Sequence, residues 1–190
     1  MDTLPISGLP LDDEGDAFGE ARESFDDIKR VMEIPFIPNI YKALATSPRA
    51  LAGTWDVFRN VFLGTSLPRA LASMVLFSIA HAKHCRYCSS VHEVTCKTLG
   101  VDEESLAALH DDIAALAPRR VHAIVVFARK CALDPQGLDD DDFAAVRDHG
   151  VSDEEIVDII ALAGLGNYLD TVADAMKISV DSVFEEALRA

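Results

Sequence analysis

Two cysteines and a histidine stand close together in Cys85-Arg86-Tyr87-Cys88-Ser89-Ser90-Val91-His92. On a helix these spacings put all three side chains on one face, because a turn takes about 3.6 residues. Thiols one turn apart have Cα atoms about 5 to 6 Å apart, within the range that a disulfide bridges. A histidine one turn further on can accept a thiol proton or stabilise a thiolate. The thiolate is the reactive form and is scarce at neutral pH unless its surroundings favour it. The arrangement points to dithiol redox chemistry.

What positions these residues is a chain with helical patterning almost throughout. A loose arm is expected over residues 1–16, which hold Pro5, Pro10 and the acidic run Asp12-Asp13-Glu14. A single all-helical domain is expected over 17–190. Its first helix covers 17–31 and ends before Pro35 and Pro38, since proline restricts the preceding residue and cannot continue a helix. Helices follow at 38–46, 48–63 and 67–83. The last of these is apolar nearly all round and reads as a buried core helix. The cysteine helix runs to Gly100, a stop signal. Further helices are expected at 102–114, 118–132, 139–149 and 152–176, with a short tail from 180. Ser152 and Glu155 have capping-box spacing. Gly164-Leu165-Gly166 points to close helix packing, within the chain or between subunits.

Two geometries remain open around the thiols. If one helix runs from His81 to Leu99, then His81, Cys85, Cys88, His92 and Cys96 fall within an arc of about 80° and form a line of exchangeable protons. If the chain breaks before Cys85, the thiols lie at a helix N-terminus, whose exposed N–H groups lower thiol pKa. No glycine or proline marks such a break.

Composition narrows the function classes. There are 32 Asp plus Glu against 17 Lys plus Arg, a formal net charge of -15. That balance disfavours nucleic acid and anionic membrane surfaces. No uninterrupted apolar run reaches the length of about 18 residues expected of a membrane span. The start, Met1-Asp2-Thr3-Leu4-Pro5, has no basic region followed by an apolar stretch. With four cysteines and no secretory signature, a cytoplasmic location is expected, where a close Cys pair is usually catalytic or metal-binding.

Zinc is the competing use of Cys85, Cys88 and His92, but no second ligand pair follows them. No metal or cofactor is therefore expected. Cys96 and Cys131 read as small core residues. His110, His122 and His149 read as surface or loop residues, and His84 as solvent-facing or as helping to polarise the entrance to the site. A thioredoxin-like site would need strands alternating with helices, and the pattern has none.

Residues 30–180 resemble the carboxymuconolactone decarboxylase superfamily, in its alkylhydroperoxidase D-like, peroxidase-related branch. The resemblance is carried by Ile37-Pro38-Asn39, Ser47-Pro48, Cys85-x-x-Cys88-x-x-x-His92 and Leu99-Gly100. Gly150-Val151-Ser152-Asp153-Glu154-Glu155-Ile156 and Val172-Ala173-Asp174-Ala175 add to it. It implies a compact all-α fold that assembles into trimers or hexamers. It also implies a thiol peroxidase acting on a hydroperoxide and recharged by an external dithiol or protein reductant. In that scheme Cys88 attacks peroxide, Cys85 condenses with the resulting sulfenic acid, and His92 belongs to the proton relay. The relay of this family usually includes a glutamate twelve residues before the first cysteine, where this chain has Ser73. Ser73 holding a water, or His81, is the expected stand-in. The alternatives are a redox sensor or assembly protein whose Cys pair switches, a decarboxylase of the same superfamily, and a zinc site.

Overall fold

In a computed structural model, residues 14–189 are described, and among them ten α-helices and no strands occur. They are α1 (Gly19–Met32), α2 (Asn39–Leu44), α3 (Pro48–Phe58), α4 (Arg69–Ala82), α5 (Arg86–Thr98), α6 (Glu103–Asp111), α7 (Arg119–Leu133), α8 (Asp140–Asp148), α9 (Asp153–Ala175) and α10 (Ser182–Arg189). The all-helical reading holds. Most of the expected arm, residues 1–13, lies outside the described residues; Glu14 pairs with Lys29 of α1.

The core forms around α4, which packs against α5, α7 and α9. Every residue from Leu71 to Ala80 is buried, as an all-round apolar helix requires. Gly166 lets α9 come close to α4: a Cβ there would sit 3.3 Å from Leu76 Cδ2. That explains one glycine of the Gly164-Leu165-Gly166 motif within the chain. α9 is long and apolar enough to meet the composition of a membrane span, with mean hydropathy 1.4 over its most apolar window. It nevertheless packs on α4, α5 and α7, and half of that window is buried inside the fold.

Three local features depart from the expected helix bounds and shape the site. The first is the break between α4 and α5. The Cys85 N–H donates to Ala80 O at 2.9 Å and the His84 N–H to His81 O at 3.0 Å, while His84 adopts φ 58°. This is a Schellman ending with histidine in the left-handed position usually taken by glycine. Gly100 and Gly150 end their helices in the same way, so their shared Gly-Val pattern is cap grammar. The second feature is a π-helical turn at Arg59–Leu63, within what reads in sequence as one helix over 48–63. Gly64 closes it, because a Cβ at that position would lie 2.5 Å from Asn60 O. The third is the tail after residue 180, which forms α10.

Candidate functional site

The Schellman break selects the second sequence geometry. Cys85 caps the N-terminus of α5, its C=O accepting from the Ser89 N–H at 3.0 Å, and Cys88 sits in the first turn. Both are free thiols and both are buried. The sulfurs of Cys85 and Cys88 and a carboxylate oxygen of Asp170 all lie within 4.8 Å of one another. Asp170 comes from α9, and the Cys85 thiol also faces its backbone carbonyl, with Sγ 3.9 Å from the oxygen.

Asp170 is the residue that sequence reasoning missed. It is 1% exposed, its Oδ2 has no hydrogen-bond partner, and the Lys83 ammonium stands 3.7 Å from that oxygen. Lys83 is held in turn by Asn167 Oδ1 at 2.8 Å, and the Asn167 amide donates to Ala132 O at 2.8 Å. A signal was present in the sequence. Asp170 follows the uncharged stretch Ile159–Leu169 and falls on the apolar stripe Leu162, Leu165, Gly166, Leu169, Ala173, all of which are buried. A lone acid on a core stripe is rarely buried without a reason.

The electrostatics follow from burial. The Cys88 thiol is pushed well above its ordinary value by its hydrogen bond with Cys85, by desolvation, and by the charges of Cys85 and Asp170. The helix N-terminus acts in the opposite direction, and here burial and the like-charged neighbours outweigh it. Desolvation also raises the Asp170 carboxyl, although both thiols and Lys83 oppose that rise. His92 lies one turn past Cys88 and is 6% exposed. Burial lowers it to about 4, so it is neutral at physiological pH, and its Nδ1 lacks a hydrogen-bond partner.

Cys88 and His92 share the wall of a cavity of about 320 Å³. One face of α5 (Cys88, Val91, His92, Thr95) with its C-cap Leu99 forms its floor, while Phe36, Phe58, Phe62 and Phe184 close over it. The π turn places Phe62 against the His92 ring, centroids 6.0 Å apart, and the Arg69 guanidinium stands over the Phe62 ring, 5.0 Å from its centroid. The short helix α10 supplies Phe184, which meets Phe36 edge-on at 5.8 Å. Its approach is pinned by Asp181: Tyr87 Oη donates to Asp181 Oδ2 at 3.1 Å, and the Asn39 N–H donates to Oδ1 at 3.0 Å. Tyr87 Oη also accepts from the Ile40 N–H at 3.2 Å. Tyr87, one of the two residues between the cysteines, therefore anchors both α2 and the C-terminal segment.

The remaining sequence candidates lie elsewhere. The His81 ring packs on Phe77 and His110, 5.0 Å from the latter, and lines a different cavity with His84. Ser73 is completely buried with its Oγ unpartnered, and it does not line the cavity of Cys88 and His92. Cys96 and Cys131 are core residues, their thiols raised by burial to about 12 and about 11. The donor set around Cys88 holds two sulfurs and one carboxylate; a fourth ligand for tetrahedral zinc is not among the described residues of that cluster.

Residues 48–128 match the sequence profile of the Carboxymuconolactone decarboxylase family. No curated protein sequence matches the chain. Among solved structures, it is similar to an uncharacterized peroxidase-related protein with an alkylhydroperoxidase AhpD core from Ralstonia eutropha, at TM-score 0.86 and 21% identity over 96% of each chain. It is similar to a peroxidase-related protein from Silicibacter sp. at TM-score 0.84 and 22% identity, covering 96% of this chain and 95% of that one. A third similar structure is the debrominase Bmp8 in complex with 2,3,4-tribromopyrrole, at TM-score 0.78 and 18% identity, covering 100% of this chain and 97% of the other. The profile match begins at Pro48 and spans the buried helix α4 and the dithiol, and over nearly its whole length the chain has the all-helical fold seen in the alkylhydroperoxidase AhpD core of the Ralstonia eutropha protein.

Proposed function

We propose that the protein is a dithiol peroxidase acting on organic hydroperoxides. The observation that carries this reading is the placement of Cys88: its thiol opens on an apolar cavity, while Cys85, completely buried behind it, has its sulfur within 4.8 Å. Access makes Cys88 the attacking thiol and Cys85 the resolving one. The Cys88 thiolate attacks the terminal peroxide oxygen, the O–O bond breaks, and the alkoxide leaves and is protonated to the alcohol. Cys88 is then a sulfenic acid, and the Cys85 thiol condenses with it to give a disulfide and water. An external dithiol or protein reductant restores both thiols by exchange and is itself oxidised to a disulfide.

The other residues have supporting roles in this scheme. His92, neutral and with a free ring nitrogen, hydrogen-bonds the peroxide or the departing oxygen. The phenylalanines favour a substrate whose organic part fills the cavity, displacing water from apolar walls. Exposed Val57, Val157, Ile160 and Tyr168 lie on α3 and α9 and offer an apolar face for homo-oligomer assembly, as a trimer or hexamer. The net charge of -15 opposes nucleic acid and anionic membranes as partners, in keeping with a cytoplasmic antioxidant role.

The test is turnover of cumene hydroperoxide with dithiothreitol as reductant. Wild type consumes many equivalents; Cys88→Ser and Cys85→Ser do not turn over. Consumption of a single equivalent by wild type would favour the switching sensor, and unchanged turnover in both variants would remove the thiols from the function.

A further inference from the structure

We infer that Asp170 is the base of this dithiol, taking the thiol proton in place of the carboxylate that Ser73 does not supply. This rests on reading the Cys pair as the reactive centre. The position of Asp170 comes first: one carboxylate oxygen lies within 4.8 Å of both sulfurs, beside the atoms that would react. The second observation is the idle acceptor. Asp170 is 1% exposed and its Oδ2 has no hydrogen-bond partner, where buried anions normally use every lone pair; the groups that favour its charge are the two thiols and Lys83. Lys83 at 3.7 Å supplies charge without a hydrogen bond, which leaves that lone pair available for a proton.

Charge counting supports the same assignment. The site disfavours two adjacent anions: the charge of Asp170 is among the causes that raise Cys88. Proton transfer avoids that state. Cys88–SH plus Asp170–COO⁻ becomes Cys88–S⁻ plus Asp170–COOH, with one negative charge before and after. Burial raises Asp170 and so narrows the gap between base and thiol, which favours transfer. When the thiolate attacks ROOH, sulfur is oxidised to the sulfenic acid and the peroxide is reduced. The proton held by Asp170 ends on the leaving alkoxide as ROH, and the carboxylate is restored. His92, lowered to about 4, is a poor acceptor for a thiol proton, and His81 faces another cavity. The other charged or titratable groups facing the cluster are Lys83 from the α4–α5 connection, Asp174 on α9, Tyr41 on α2, and Tyr87 on α5.

The test reads thiol reactivity without peroxide: the rate at which iodoacetamide alkylates Cys88 as a function of pH, with sites assigned by mass spectrometry. If Asp170 is the base, Asp170→Asn slows alkylation at pH 7 by about 10²-fold, moves the profile to alkaline pH, and Asp170→Glu restores part of the rate. If Asp170 is only a repelling charge, removing it eases thiol ionisation, and an equal or faster Asp170→Asn rate at pH 7 overturns the inference. Lys83→Met provides a second reading should Asp170→Asn fail to fold. Without the cation the carboxylate binds its proton more tightly, so the acid limb of the profile moves to higher pH; an unmoved limb overturns the assignment. Alkylation that depends on Asp170 without peroxide turnover would keep this inference and reject the peroxidase reading. Turnover with alkylation indifferent to Asp170 would do the reverse.

Discussion

The Asp170 carboxylate lies within 4.8 Å of the Cys88 sulfur, although α9 and α5 are separated in the chain by three intervening helices. The contact exists because α4 packs on both helices, and because the turn at His84 sets α5 off from α4 with its N-terminus toward α9. A carboxylate reached from another helix thus stands beside the thiols while Ser73 on α4 carries no charge. The consequences can be checked.

Oxidation leaves a mass signature. One equivalent of hydroperoxide should remove two hydrogens from wild type, with the new bond linking Cys85 and Cys88 on peptide mapping. In Cys85→Ser the same treatment should add one oxygen, trapped at Cys88 as a dimedone adduct, because no thiol is close enough to condense. An oxygen adduct at Cys85 in the Cys88→Ser protein would reverse the assigned order.

His92 links stability to pH. In the unfolded chain a histidine takes up a proton below about 6.5, whereas folded His92 does so only near 4. Its neutral form therefore contributes stability that is present above about pH 6.5 and is lost as pH falls through the folded value, on the order of 2–3 kcal/mol at pH 4. His92→Phe should show a smaller drop in urea midpoint between pH 7 and pH 4 than wild type. Under the proposed function it should also slow peroxide turnover by about 10-fold or more, since the hydrogen bond proposed to the reacting oxygen would be lost.

The proposed function makes cavity volume a determinant of substrate preference. Val91 lies on the α5 face between Cys88 and Thr95 and lines the cavity. Val91→Phe should raise KM for cumene hydroperoxide by about tenfold while leaving hydrogen peroxide reduction close to wild type. Equal losses for both substrates would show that the cavity is not where the organic part binds.

Tyr87 couples the dithiol segment to the C-terminal helix. Tyr87→Phe removes the hydroxyl shared by the Ile40 N–H and Asp181, leaving two buried polar groups short of a partner. A loss of about 1–3 kcal/mol is expected. Faster amide exchange over residues 182–189 should accompany it, because Asp181 holds the approach to α10.

His84 occupies a left-handed position with φ 58° and is exposed. Glycine adopts that conformation without the Cβ clash that costs other residues about 1–2 kcal/mol. His84→Gly should therefore melt at or above the wild-type temperature with thiol alkylation unchanged, whereas a β-branched His84→Val should lower the melting temperature.

Much of this molecule was legible before folding. Helix periodicity, proline positions and the Ser152–Glu155 cap fix an all-helical chain, and Cys85, Cys88 and His92 mark the candidate site, because these signals are local and repeat within a turn or two. The break at His84 was not legible: its Schellman hydrogen bonds place a histidine where a glycine would have announced the turn. The π turn at Arg59–Leu63 was equally hidden, since its residues suit an α-helix as well. Tertiary structure alone decided which groups meet. It carried His81 to a different cavity, left Ser73 buried and uncharged, closed the aromatic cavity with Phe184 from the chain's end, and set Asp170 beside the thiols. Such contacts depend on how α4, α5 and α9 pack in three dimensions, and no spacing along the sequence encodes them directly.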